Sequence, residues 1–142
     1  MSAPNGYNPM RWKCEDAGCF NLKKRPKIEV FADCFPGRIA FSDVDATVEV
    51  NGRFLFLEFK EGEPRDIPTG QRIYLQRLTL LHRYIQAIIV SANSETMDVS
   101  HVRLVRGGQF GPVENCDLAG LRARLRSWSV RASAVPRIRI VA

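Results

Sequence analysis

Several features are scarce or missing in this chain of 142 residues, and each absence closes off a class of function. No stretch approaches the roughly 18 uninterrupted apolar residues of a membrane span, and the opening MSAPNGYNPMRWK has no hydrophobic signal region. The expectation is a protein without membrane association that stays in the cytoplasm. Histidine occurs only as His82 and His101, far apart and each alone. A lone histidine on a strand is more often structural than catalytic, so histidine-centred chemistry is disfavoured. There is no glycine-rich nucleotide loop of the P-loop or dinucleotide kind, no internal repeat and no low-complexity tract. Cysteine is limited to four residues. Cys14 and Cys19, spaced C-x4-C, are within reach of a shared Zn²⁺, and Cys34 could be a third ligand, but structural zinc sites take four and no fourth is evident. Reduced, partly buried thiols are therefore expected rather than zinc or disulfides.

Acidic residues are outnumbered, 15 against 21 Lys and Arg, and the net charge is +6. The imbalance is local. From His101 onward eight arginines stand against Glu114 and Asp117, whereas the preceding residues carry the two signs equally. Arginine suits phosphate because its planar fork binds two oxygens at once. The C-terminal stretch, with Arg122, Arg124 and Arg126 along a helical pattern, is thus a candidate nucleic-acid surface, and so is the cluster Lys23-Lys24-Arg25. A basic surface that merely keeps the protein soluble is the plainer alternative.

What is present in strength is one β-hairpin signal. Asn51-Gly52, the dipeptide that best supplies two positive φ angles, lies between two β-type runs, Ala46–Val50 and Phe54–Lys60. With those two residues as the loop, Val50 faces Arg53, Glu49 faces Phe54 and Thr47 faces Phe56. Two further steps set Asp45 opposite Glu58 and Asp43 opposite Lys60. Directly opposed side chains have Cβ atoms roughly 4.5–5.5 Å apart, and like charges placed there repel. A divalent cation resolves that repulsion, and Mg²⁺ suits a site of one or two carboxylates completed by water and phosphate oxygens. Lys60, two residues beyond Glu58, points the same way. Glu58 and Lys60 also follow Phe54-Leu55-Phe56-Leu57, where an unpaired charge is costly.

Asp45, the triplet Glu58-Phe59-Lys60 and the Gly70-Gln71 that opens the next helix resemble the PD-(D/E)XK nuclease superfamily, most closely its small VRR-NUC-like and phage-encoded members. The resemblance spans about Pro26 to Asn93. It implies a restriction-endonuclease-like α/β core, a mixed sheet of αβββαβ order. It further implies Mg²⁺ or Mn²⁺ held by Asp45 and Glu58, a lysine, Lys60, that assists the attacking water, and Gln71 reaching back toward the metal site or the DNA backbone. Glu29 sits where a helix glutamate often completes the metal shell. Where the family typically has proline before the aspartate this chain has Val44, so Asp43 or Asp45 could be the ligand; the hairpin register favours Asp45. DNA is the implied substrate, structured or branched DNA included, and the host cytoplasm the implied location of a phage-encoded protein.

The remaining chain supports one nuclease-like domain over residues 1–142, with 1–25 as a cysteine-containing extension and 114–142 as an arginine-rich helix and tail. A short helix is expected over Arg25–Cys34 and a possible strand over Arg38–Phe41. The polar segment Glu61–Pro68 lies at the mouth of the site, placed to move as substrate enters. Thr69 is a candidate cap for a helix whose apolar face is Tyr74, Leu78, Leu81 and Ile85. Gln86–Ala92 reads as a buried strand beside a parallel neighbour. Val99–Val105 reads as a further strand, with His101 and Arg103 on one face. Leu118–Val130 reads as a helix burying Leu118, Leu121, Leu125 and Trp128. Val135–Val141 could be an edge strand, a tail on a partner subunit or an arm along phosphates. A homodimer is what symmetric branched DNA would require. The competing reading is a non-catalytic phage accessory or anti-defence protein that uses a nuclease fold to hold nucleic acid or a host protein.

Overall fold

The computed structural model describes residues 28–37, 39, 41–42, 44–64 and 66–141, and for residues 28 and 29 the backbone alone. Cys14, Cys19, Lys23, Lys24, Arg25 and Asp43 lie outside the described residues. The chain divides into two compact units, Met1–Phe41 and Ser42–Ala142. In the first, the described part of the expected helix is a 3₁₀ helix, Ile28–Cys34, with a turn after it, and the Phe31 and Phe35 rings stand edge-on to Phe41. Ile39 and Phe41 are in irregular backbone, not a strand.

The second unit is a mixed α/β fold: a five-stranded sheet in the order β1-β2-β3-β4-β5 with one helix on each face. The strands are β1 (Ala46–Val50), β2 (Arg53–Glu61), β3 (Ile85–Asn93), β4 (Asp98–Arg106) and β5 (Gln109–Asn115). The helices are α1 (Thr69–Leu80), between β2 and β3, and α2 (Leu118–Ala134), after β5. β2 and β3 run parallel, and every other pair is antiparallel. Two tight turns drive this. Asn51 and Gly52 take φ of 53° and 86°, and Gly107 and Gly108 take 57° and 74°, the backbone that matches the twist of two-residue hairpins. The first turn is tied down by Glu49 Oε2, which accepts from the Gly52 N–H at 2.6 Å. Its register is the expected one, with Val50 facing Arg53, Glu49 facing Phe54 and Thr47 facing Phe56. The second turn makes β5, a strand that the sequence pattern does not announce.

Alternation along β2 sends Leu55, Leu57 and Phe59 to one face and Phe54, Phe56, Glu58 and Lys60 to the other. On the first face Leu55, Ile88, Val90 and Val102 pack against Leu121, Trp128 and Ala132 of α2. Asp117 caps that helix, accepting from the Gly120 N–H at 2.7 Å. Leu125 packs in as expected, but Leu118 is exposed and Ala132 takes the last buried position. On the second face Ile67, Ala87, Ile89 and Val105 pack against Leu75 of α1. Here the expected apolar stripe is wrong. Tyr74 and Leu81 are exposed, Ile85 already belongs to β3, and the buried residues of α1 are Leu75 and Thr79. Thr79 can be buried because its hydroxyl donates to Leu75 O and accepts from the Gly108 N–H. Nor does Thr69 cap α1; it is already helical, and Pro68 holds the cap position without a side-chain bond.

Residues 135–141 form no strand. They run past the first turn, where the Ile138 N–H donates to Asn51 O, and Asn51 Nδ2 donates to Ala132 O and Ser133 O at the end of α2. Among the described residues no helix is long and apolar enough to cross a membrane.

Candidate active site

Glu58 and Lys60 emerge at the C-terminal end of β2, on the α1 face of the sheet. The first turn of α1 passes over them, because α1 must pack Leu75 on that face and Gln71 lies one turn earlier. Gln71 Nε2 donates to Glu58 Oε1 at 2.5 Å, and Lys60 Nζ lies 3.3 Å from the same oxygen. The Glu58 side chain is 14% exposed. So three of the residues singled out in the sequence are in direct contact.

Asp45 joins them differently from the expected register. The β1–β2 ladder stops at Ala46 and Leu57, and Asp45 lies in a bend just before it. Its Oδ2 accepts from the Phe59 N–H at 2.7 Å, so a side-chain oxygen replaces a main-chain acceptor where the ladder ends. The carboxylate is therefore beside Glu58 at the strand end rather than across a continued ladder. Its charge is still felt. Burial pushes the Glu58 carboxyl above its ordinary range and Asp45 pushes it the same way, against the bond and charge of Lys60 and the bond from Gln71.

The sheet order adds neighbours that the sequence could not place. Glu58, Ile89 and Arg103 are aligned across β2, β3 and β4, as are Lys60, Ser91 and His101. Lys60, Ser91 and Arg103 line one small cavity of about 20 Å³. Arg103 Nε donates to Gly111 O at 2.7 Å. Its guanidinium and that of Arg72, next to Gln71, both lie over the Phe110 ring, at 5.0 and 4.9 Å. The period-two spacing of His101 and Arg103 was the available signal; which strand lay beside Lys60 was not. Arg122, Arg124 and Arg126, by contrast, are on α2 and hence over the opposite face. Arg124 is paired with Glu114 at 3.1 Å. Glu29 belongs to the 3₁₀ helix of the other unit, and its side-chain placement lies outside the described residues.

Among the described residues no group of three or more His, Cys, Asp and Glu side chains is arranged to hold a metal ion. The donor set at the strand end is two carboxylates and one amide oxygen. Gln71 Oε1 is buried and, among the described residues, has no hydrogen-bond partner. A buried carbonyl oxygen in that state calls for a cation or a donor, and a carboxylate pair with one neutral oxygen fits a hard divalent ion that keeps much of its water.

No protein-family model matches this chain, and neither the curated proteins nor the solved structures give a significant match.

Proposed function

We infer that the protein is a metal-dependent nuclease hydrolysing DNA phosphodiester bonds, with Asp45, Glu58, Lys60 and Gln71 as its centre. The observation that carries this reading is Glu58 itself. A mostly buried carboxylate is held beside a second acid, contacted by a lysine and an amide, and the amide's own oxygen is unsatisfied among the described residues. In this reading the β1–β2–α1–β3 portion is the centre of a restriction-endonuclease-like core of αβββαβ type.

Asp45, Glu58 and the Gln71 oxygen would hold Mg²⁺ or Mn²⁺. When bound, such an ion supplies charge neutralisation at the scissile phosphate and a more acidic water. The chain's own residues do the rest. Lys60, already within reach of Glu58 Oε1, donates to the attacking water or to the phosphate oxygen that gains negative charge as the water oxygen bonds phosphorus and the phosphorus–sugar oxygen bond breaks. Gln71 fixes the orientation of Glu58, keeping one carboxylate oxygen turned toward α1. Arg103 and Arg72 are placed on the same face to contact flanking phosphates, which position the chain without reading bases.

The test is cleavage of linear, nicked, single-stranded and branched DNA in Mg²⁺, with wild type and Glu58→Ala. Cutting by the wild type that vanishes in the variant supports the reading; equal activity in both removes Glu58 from the mechanism.

A further inference from the structure

Opposite the candidate active site, at the other end of β2 and on the other face of the sheet, lies a second cluster of like charges. Arg53, Arg83 and Arg131 line a cavity of about 330 Å³ together with Tyr84, Gln86 and Trp128. Arg53 is the unusual member, since it is only 9% exposed. Its Nη1 donates to Asn51 O and Pro136 O, both at 2.8 Å, and its guanidinium stacks over the Tyr84 ring at 3.8 Å. Arg83 lies over the same ring at 5.1 Å and donates to the Tyr84 hydroxyl at 3.2 Å. Arg131 donates to Ser127 Oγ. Among the described residues none of the three has a carboxylate within ion-pair distance, and no acidic side chain lines the cavity.

Carbonyl oxygens and a ring face orient a guanidinium but do not cancel its charge, so three cations around one space repel one another unless an anion enters. Arginine forks are matched to the tetrahedral oxygens of phosphate. The Tyr84 hydroxyl has its pKa lowered, first by the Arg83 bond and then by the charge of that residue, with Arg53 adding to it. The local field therefore favours negative charge. The size is at the low end for small-molecule sites, far below what a duplex needs. Trp128, 9% exposed, lines part of the cavity and gives it an aromatic surface for a ring attached to the phosphate.

We propose that this cavity binds a phosphate monoester carried on a small planar group, with Arg53, Arg83 and Arg131 as its anion contacts and Trp128 as the wall for the ring. The site is independent of the nuclease reading. Arg53 and Glu58 are five positions apart along β2, roughly 17 Å of strand, and the two side chains leave opposite faces.

Trp128 makes the test direct. In a Trp12→Phe protein, free of added metal, its emission is titrated at constant ionic strength with inorganic phosphate, adenosine 5′-monophosphate, adenosine, and a short oligonucleotide with and without a 5′-phosphate. The expected result is a saturable change with the monophosphate, at a concentration at least tenfold lower than with adenosine. In the exposed-residue double variant Arg83→Gln/Arg131→Gln, half-saturation should rise tenfold or more, with the melting temperature confirming that the variant is folded. Binding of the 5′-phosphorylated oligonucleotide but not of the mononucleotide keeps the phosphate monoester and assigns it to a nucleic-acid end. No saturable change with any phosphorylated probe, or equal half-saturation in the double variant, overturns the proposal. DNA cleavage in that variant reads the other centre separately.

Discussion

Gln71 gives its amide hydrogen to Glu58 Oε1 at 2.5 Å, while its own carbonyl oxygen is buried without a partner among the described residues. One side chain thus both clamps an acid and carries an unsatisfied lone pair beside it. Replacing Gln71 by Ala removes both roles. On the nuclease reading, initial rates of Mg²⁺-dependent DNA cleavage should fall by about 10–100-fold, the usual range for losing a residue that orients a metal ligand. Unchanged rates would make Gln71 a helix-surface residue and no more.

Glu58 is destabilising where it is charged. Its folded-state pKa lies above the ordinary value of 4.5, through burial and then through Asp45. The native state therefore holds its proton to higher pH than the unfolded chain does, and stability is lost as pH rises through that window. Glu58→Gln should raise the melting temperature at pH 7 and show little gain near pH 3.5, where both states of the wild type are protonated. Urea melts at the two pH values check this; a gain that does not depend on pH would mean packing, not charge, is responsible.

Mn²⁺ or Mg²⁺ at millimolar concentration should stabilise the wild type, because a ligand bound only to the folded state shifts the equilibrium by mass action. The same ions should leave the melting temperature of Glu58→Gln or Asp45→Asn unchanged. Identical shifts in all three proteins would locate any ion elsewhere.

The two arginine groups can be told apart by salt. If DNA lies along the α1 face, Arg103→Ala should lower the slope of log K against log salt by about 0.9, the value of one phosphate contact. Arg126→Ala, on the opposite face, should leave it unchanged. Binding is measured without divalent ions so that nothing is cut; the reverse pattern would move the DNA to α2.

At Gly52 a Cβ would meet the Ile138 side chain, at a φ of 86° that other residues resist. Gly52→Ala should cost more than about 1 kcal/mol. The loss should be smaller when Ile138→Ala is already present, since the clash is then relieved. Equal losses in the two backgrounds, by chemical denaturation, would mean that the tail does not press on the turn.

The hairpin was legible because its cause is local. Asn51-Gly52 and the alternation on either side fix which residues face which, and Glu58 and Lys60 follow on one side of β2. The same counting failed at Asp45, because a ladder can end and hand its next hydrogen bond to a side chain, which no periodicity signals. It failed on α1 because Thr79 is buried through two hydrogen bonds rather than through hydrophobicity, while Tyr74 and Leu81 are exposed. Arg103 and the Arg53 cavity were out of reach for a different reason. Both depend on which strands lie side by side, and the Arg53 cavity also on a segment 83 residues away whose Pro136 carbonyl holds the guanidinium.

The bond from Asn51 to Ala132 links positions 81 residues apart. At about 5–20 residues per second, a ribosome finishes the hairpin several seconds before it supplies the helix end that fastens the turn. A two-stranded ribbon alone is marginal in water. A cell making this chain consequently meets the turn first without the helix end that fastens it, and that tie forms only when translation has passed Ser133.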